Sequence, residues 1–246
     1  MNLKKYFGFR FLFWFLVFGG LFGWWGFVSM QNQVIEFYEE PIETISYDTK
    51  NDDSIQKYLG KWIYLSDLNY VPQDLVSIDS DFTANNARKF IMKKEAAQHF
   101  ADLARHFWSH YKWDRLFITS AYRSASFQSY LIKKWCSRSR CAEVGASEHQ
   151  LWLAIDIGVM TKNWRYIPLT KTSPYYQWLV ENWADWWFHN TYQKWIDIDG
   201  QMEEAWHRRY LWVSLAQNLR DNNQTFSERY ALQQTPDYLI LDDNLL

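Results

Sequence analysis

Glycine is scarce in this chain of 246 residues: nine are present, where average usage of about 7% would give roughly 17. Other signals are missing altogether. No G-x-S-x-G elbow, phosphate loop or G-x-G-x-x-G fingerprint occurs, so the usual sequence marks of serine hydrolases, P-loop nucleotidases and dinucleotide-binding folds are absent. No cluster of basic residues supplies the electrostatic footprint of a nucleic-acid partner, and none is expected. No internal repeat is visible. There are only two cysteines, Cys136 and Cys141, bracketing Ser-Arg-Ser-Arg. Outside the cytoplasm two cysteines so placed can pair as a small local disulfide, or they can stand as two unrelated free thiols.

Charge is absent from one long stretch. Residues 1–10 carry Lys4, Lys5 and Arg10, and the twenty residues from Phe11 to Met30 carry no charged side chain. As a helix, twenty apolar residues span about 30 Å, the thickness of a bilayer's hydrocarbon core. The basic flank should stay in the cytoplasm and the rest of the chain outside it. A cleaved signal peptide is the competing reading, although Val28-Ser-Met30-Gln makes a poor cleavage site. The expectation is a single-pass protein of the cell membrane. All 28 acidic residues and 23 of the 26 basic ones follow the apolar run, leaving that part with a net charge of about −5.

What is present then divides the chain into residues 1–30 (basic tip and anchor), 31–57 (an acidic, aperiodic stalk) and 58–246 (a working domain). A short strand and lead-in loop are expected over Ile63–Pro72. Phe90, Ile91, Ala97, Phe100, Leu103, Ala104 and Phe107, broadly at helical spacing, predict a helix within Asn85–Trp113. His106 and His110 stand four apart there, but no Glu follows His106 as in H-E-x-x-H, so packing or surface roles are expected. Leu116–Thr119 predicts a strand, and Ser126–Lys134 a helix with Phe127, Tyr130 and Leu131 inward. Leu153–Ile157 predicts a strand and Pro174–Trp187 a helix. Trp206–Val213 predicts a last strand, followed by a short helix to about Arg220. Asp237–Leu241 could add an edge element. Mixed helices and short, non-alternating strands indicate an α+β fold.

Chemistry concentrates in three segments: Ser120-Ala-Tyr-Arg123-Ser-Ala-Ser-Phe-Gln128, Ser147-Glu-His149-Gln-Leu-Trp152-Leu-Ala-Ile-Asp156 and Glu204-Ala-Trp206-His207. Two histidines and an aspartate can coordinate a metal, with a free glutamate three residues before the second histidine. Three protein ligands, one open position and a carboxylate to take a proton form the set of a hydrolytic zinc site. His149 and Asp156 are seven apart, an odd separation that would put them on opposite faces of one regular strand. The chain must therefore turn between them.

In this order the segments resemble the zinc D-alanyl-D-alanine carboxypeptidases of the VanY type, whose signatures read roughly S-G-Y-R-S-x-x-x-Q, S-E-H-Q-x-G-x-A-x-D and E-P-W-H-x-R-Y-V-G. The resemblance covers about Leu65 to Leu219, with Tyr70-Val-Pro72 similar to the family's opening segment. It implies a small antiparallel sheet flanked by helices, of the hedgehog or DD-peptidase kind, behind the N-terminal transmembrane helix. It implies Zn2+ held by His149, Asp156 and His207, with Glu204 as general base. Arg123 would either grip the substrate's terminal carboxylate through its planar fork or help stabilise the oxyanion. Gln128 and Ser147 would be polar groups of the substrate pocket, and Tyr122, Trp206 and Arg209 would shape its wall.

The implied activity is removal of the C-terminal D-alanine from peptidoglycan stem peptides, by a monomer. The alternatives are LD-carboxypeptidase action on tetrapeptide stems and a module that binds wall peptide without hydrolysis. Against the family pattern, Trp152, Trp187 and Trp212 stand where glycine is expected. Tryptophan supplies neither a ready positive φ nor close backbone approach. Either these are genuine substitutions, or their codons are UGA and the source organism reads UGA as glycine.

Overall fold

The computed structural model describes residues 47–85, 88–136 and 141–234. The expected membrane helix and the element at Asp237–Leu241 lie outside them. Among the described residues no helix is long and apolar enough to cross a membrane. In chain order the elements are β1 (Leu75–Ser77), β2 (Thr83–Ala84), β3 (Ile91–Lys93), α1 (Lys94–Tyr111), β4 (Arg115–Ser120), α2 (Ala125–Lys134) and β5 (Ala154–Met160). They continue with β6 (Tyr166–Pro168), α3 (Tyr176–Asn182), β7 (Phe188–His189), α4 (Ile196–Asp199), β8 (His207–Tyr210), α5 (Val213–Asp221) and α6 (Phe226–Gln234).

The central sheet runs β2-β4-β5-β8-β7, with β6 also paired to β5. It is mixed, not antiparallel throughout as expected: β2 lies parallel to β4, Thr83 opposite Leu116, and the other neighbouring pairs are antiparallel. A parallel pair needs a long crossover, and here β3 and α1 supply it. A two-residue strand leaves no alternating pattern in the sequence, so β2 could not be read there.

β5 is the middle of the fold. Ala154 to Val159 are all buried, which explains an apolar run without alternation, as in a strand covered on both faces. On α1, Ala97, Phe100, Ala104 and Phe107 recur at three- and four-residue spacing and form one buried face. Phe100 meets Phe188 of β7 and Phe107 meets Trp178 of α3, edge to face. Burial of each phenylalanine contributes roughly 1.5–3 kcal/mol.

Several boundaries differ from expectation. The helix predicted within 85–113 begins only at Lys94, because Ile91–Lys93 pairs with β1. No strand forms over 63–72; Ile63 makes only an isolated bridge with Gly60. α2 starts at Ala125 because the Ser124 hydroxyl accepts a hydrogen bond from the Phe127 amide. Its inward stripe differs from the expected one: Phe127 and Tyr130 are half exposed, and the buried residue is Gln128. Gln128 lies about 100° around the helix from Phe127, and its amide reaches the Ala142 carbonyl.

Residues 47–57, within the segment read as stalk, lie against the domain. Lys57 is buried and ion-paired with Asp52 at 2.8 Å, and the Arg209 guanidinium donates to the carbonyls of Ile55 and Lys57. Cys136 and Cys141 form a disulfide.

The three tryptophans at expected glycine positions all have positive φ: 61° at Trp152, 69° at Trp187 and 76° at Trp212. A left-handed backbone costs an ordinary L-residue roughly 1–2 kcal/mol.

Candidate active site

The ligand cluster is assembled by strand register. Asp156 on β5 sits directly opposite His207 on β8, which makes their side chains cross-strand neighbours. Ser120 at the end of β4 pairs with Asp156 from the other side, after a register shift between Ile118 and Ser120. Such an irregularity bends a strand and re-aims the residues beyond it, here the Ala121–Ser124 loop that carries Arg123. His149 comes from a single turn of 3-10 helix, Glu148–Leu151, which ends at the left-handed Trp152 before β5 begins. That is the turn demanded by the odd spacing of His149 and Asp156.

The three side chains are buried, and one ligand atom from each lies within 4.8 Å of the others. His149 Nε2 is 3.1 Å and His207 Nδ1 is 3.0 Å from Asp156 Oδ1. Tetrahedral zinc with bonds of about 2.0–2.1 Å separates its ligand atoms by roughly 3.3 Å, so the donor set fits zinc in chemistry and both histidine–aspartate separations lie close to that spacing.

Each imidazole is oriented through its other nitrogen. His149 Nδ1 lies 2.6 Å from the Ala121 carbonyl, which can only accept, so that nitrogen carries the proton and Nε2 is free to ligate. His207 Nε2 lies 2.8 Å from Glu148 Oε2, leaving Nδ1 for the metal. Glu148 is buried and also accepts from the Thr191 hydroxyl at 2.6 Å. Burial alone would raise its pKa, but His207, Arg209 and Thr191 together hold it below the ordinary glutamate value. This is a carboxylate–histidine pair of the kind that sets ligand tautomer and basicity. Sequence reasoning misses Glu148 as a functional residue. The signals are its place beside His149 and the rarity of buried, unpaired carboxylates, but its partner lies 59 residues away.

Glu204 Oε2 stands 4.0 Å from His207 Nδ1, near the cluster but outside it. Burial first, and then Asp156 and Glu148, push its pKa up to about 7 against the opposing pull of His207 and Arg123. A carboxylate so placed can accept a proton at neutral pH and return it.

Arg123 pairs with Asp156 Oδ2 through Nη2 and with the Ser120 hydroxyl through Nε at 3.0 Å. Its backbone amide donates to the His149 carbonyl. The guanidinium therefore holds the carboxylate oxygen of Asp156 that the histidines do not approach. Gln128 is fully buried and donates to the Ala142 carbonyl at 2.8 Å, and Ser147 is buried at the start of the 3-10 turn. Arg209, expected in the wall, is wholly buried, and its Nε and Nη2 donate to backbone carbonyls. Tyr122 stacks face to face on Trp152, ring centroids 3.3 Å apart.

A family model described as VanY, D-alanyl-D-alanine carboxypeptidase, matches residues 89–213, half of the chain. The chain therefore belongs to the VanY family of zinc D-alanyl-D-alanine carboxypeptidases, and His149, Asp156 and His207 form its buried metal site. YodJ of Bacillus subtilis (strain 168) is 28% identical over 200 residues, covering 77% of this chain and 70% of that protein. Among solved structures, the LdcB LD-carboxypeptidase is 25% identical with a TM-score of 0.62, over 73% of this chain and 87% of its own. VanYB, solved in complex with D-alanine-D-alanine, has the same fold at 21% identity and a TM-score of 0.53, over 72% and 97%. A VanY mutant solved with Zn(II) matches equally well, at 21% identity and a TM-score of 0.53 over 70% and 97%.

Proposed function

We propose that the protein hydrolyses the terminal D-Ala-D-Ala bond of peptidoglycan stem peptides. The observation that carries this is Glu204 beside, but not within, a His-Asp-His cluster whose ligating nitrogens are already oriented. Zinc held there supplies Lewis acidity toward the scissile carbonyl and makes water more acidic. Glu204 accepts the proton of the attacking water and passes it to the departing D-alanine amine. Arg123 steadies Asp156 with one N–H and Ser120 with another, leaving the rest of its fork for a terminal carboxylate or a developing oxyanion. The apolar run at 11–30 would hold the enzyme at the membrane with its domain on the side where wall peptides lie.

A second reading, LD-carboxypeptidase action on tetrapeptides, is favoured by the similarity to LdcB. A binding module without hydrolysis is disfavoured by the intact set of three ligands and Glu204. The test incubates the zinc-loaded protein with a stem pentapeptide and, separately, with a tetrapeptide, and measures released D-alanine. Faster release from the pentapeptide is expected. Preference for the tetrapeptide would install the LD reading, and release from neither by zinc-bound protein would overturn hydrolysis.

A further inference from the structure

Thirteen tryptophans fall among the described residues, and they separate into two populations. Seven of them, Trp62, Trp113, Trp152, Trp164, Trp187, Trp195 and Trp212, have positive φ, between 60° and 91°. Among the described residues only two other non-glycine positions do so, Lys112 and Asn223. Positive φ is uncommon outside glycine, is enriched in Asn, Asp and His, and is a true outlier for a bulky side chain. We infer that these seven positions are glycine in the protein as its source makes it, encoded by UGA that the source's ribosome reads as glycine.

The local geometry supports glycine at these positions. Trp195 (φ 83°, ψ 172°) and Trp212 (φ 76°, ψ 152°) occupy a region that is essentially restricted to glycine. Trp152 and Trp187 close short helical turns in the left-handed conformation, the usual place of a terminating glycine. Trp62, Trp113, Trp164, Trp195 and Trp212 are between 40% and 74% exposed, so their indoles bring little burial to offset the backbone cost. The other population is set apart by its backbone: even Trp135, 75% exposed, has an ordinary φ of −130°. Trp178 and Trp183 are buried in or beside α3, with the Arg208 guanidinium over the Trp183 ring. Composition agrees: only four glycines lie beyond residue 26, and seven more would bring that stretch near ordinary usage.

At the active site the consequence rests on the hydrolytic reading above. The Trp152 indole covers one face of Tyr122, next to Arg123, and its Nε1 lies 3.4 Å from the Tyr70 carbonyl. Without the indole that aromatic face opens beside the metal ligands, and the main departure from the family pattern near the site disappears.

The test does not depend on activity. The gene should carry UGA at the seven positions and UGG at Trp108, Trp178 and Trp183. Tryptic peptides of the protein from its source should each be lighter by the difference between an indolylmethyl group and a hydrogen at the seven. UGG codons there, or peptides of tryptophan mass, overturn the inference. A recombinant full chain carrying Trp→Gly at all seven positions should melt roughly 10 °C or more above the all-tryptophan chain. The chain with Trp178→Gly and Trp183→Gly should melt below it. A seven-site variant no more stable than the all-tryptophan chain would overturn the inference as surely as the masses.

Discussion

The two histidines of the metal site are held in different ways. His149 sits on a tight turn and donates its Nδ1–H to a neutral backbone carbonyl, that of Ala121. His207 sits on a buried strand and donates its Nε2–H to a carboxylate, Glu148. Their titrations diverge accordingly. Burial, then Arg123, lowers the pKa of His149 to about 4. Burial alone would lower that of His207 too, but hydrogen bonds to Asp156 and Glu148 raise it to about 9. At neutral pH the metal-free protein therefore holds one ligand ready and the other protonated. One side of the site is set by backbone geometry, the other by charge.

The largest effect asks whether both histidines are equally necessary despite this unequal support. His207→Ala and His149→Ala should each lose stoichiometric zinc on dialysis, with activity falling to background. Metal analysis that finds full zinc in either variant would break the ligand assignment. Next comes the group that belongs to neither side. Glu204→Gln should keep its zinc and lose at least about a hundredfold in turnover, and wild-type rates would remove Glu204 from the mechanism.

The contrast between the two sides is sharpened by Glu148→Gln. An amide oxygen can still accept from His207 Nε2, so orientation survives while the charge is lost. Zinc affinity should fall by about 10–100-fold, as measured by chelator competition. Thr191→Val, which leaves the carboxylate in place, should cost less. Unchanged affinity in Glu148→Gln would mean that geometry alone prepares His207, as it does His149.

The smallest effect is in protons. The charged form of His207 stabilises the metal-free fold fully below its unfolded pKa of about 6.5, and that contribution is lost as pH rises through about 9. Because zinc needs the neutral ring, affinity should rise with pH over the same window, and binding near pH 7 should release about one proton. Calorimetry in buffers of different ionisation enthalpy reads this number. A value near zero would show that His207 is already neutral before zinc arrives.

Much of this is legible in the residues. The ligands and Glu204 lie in short segments whose order is specific, and the turn between His149 and Asp156 follows from their odd spacing. The core face of α1 is written in the period of Ala97, Phe100, Ala104 and Phe107. Less of the supporting structure can be read. The inward stripe of α2 escapes the sequence pattern because Phe127 and Tyr130 are apolar but half exposed, while Gln128 is polar and buried. Arg209 resembles a wall residue and proves to be a buried brace for residues 55–57.

Sequence alone determined what each position can do: which side chains can bind a metal and which can move a proton. These are properties of single residues and short spacings, carried by covalent geometry and local sterics. Only the tertiary structure decided which nitrogen of each histidine is free, that Glu148 reaches His207 across 59 residues, and that β2 joins the sheet in parallel. Those facts depend on strand register and on contacts between distant segments. A one-residue slip between β5 and β8 would turn His207 away from Asp156 and leave every local signal intact.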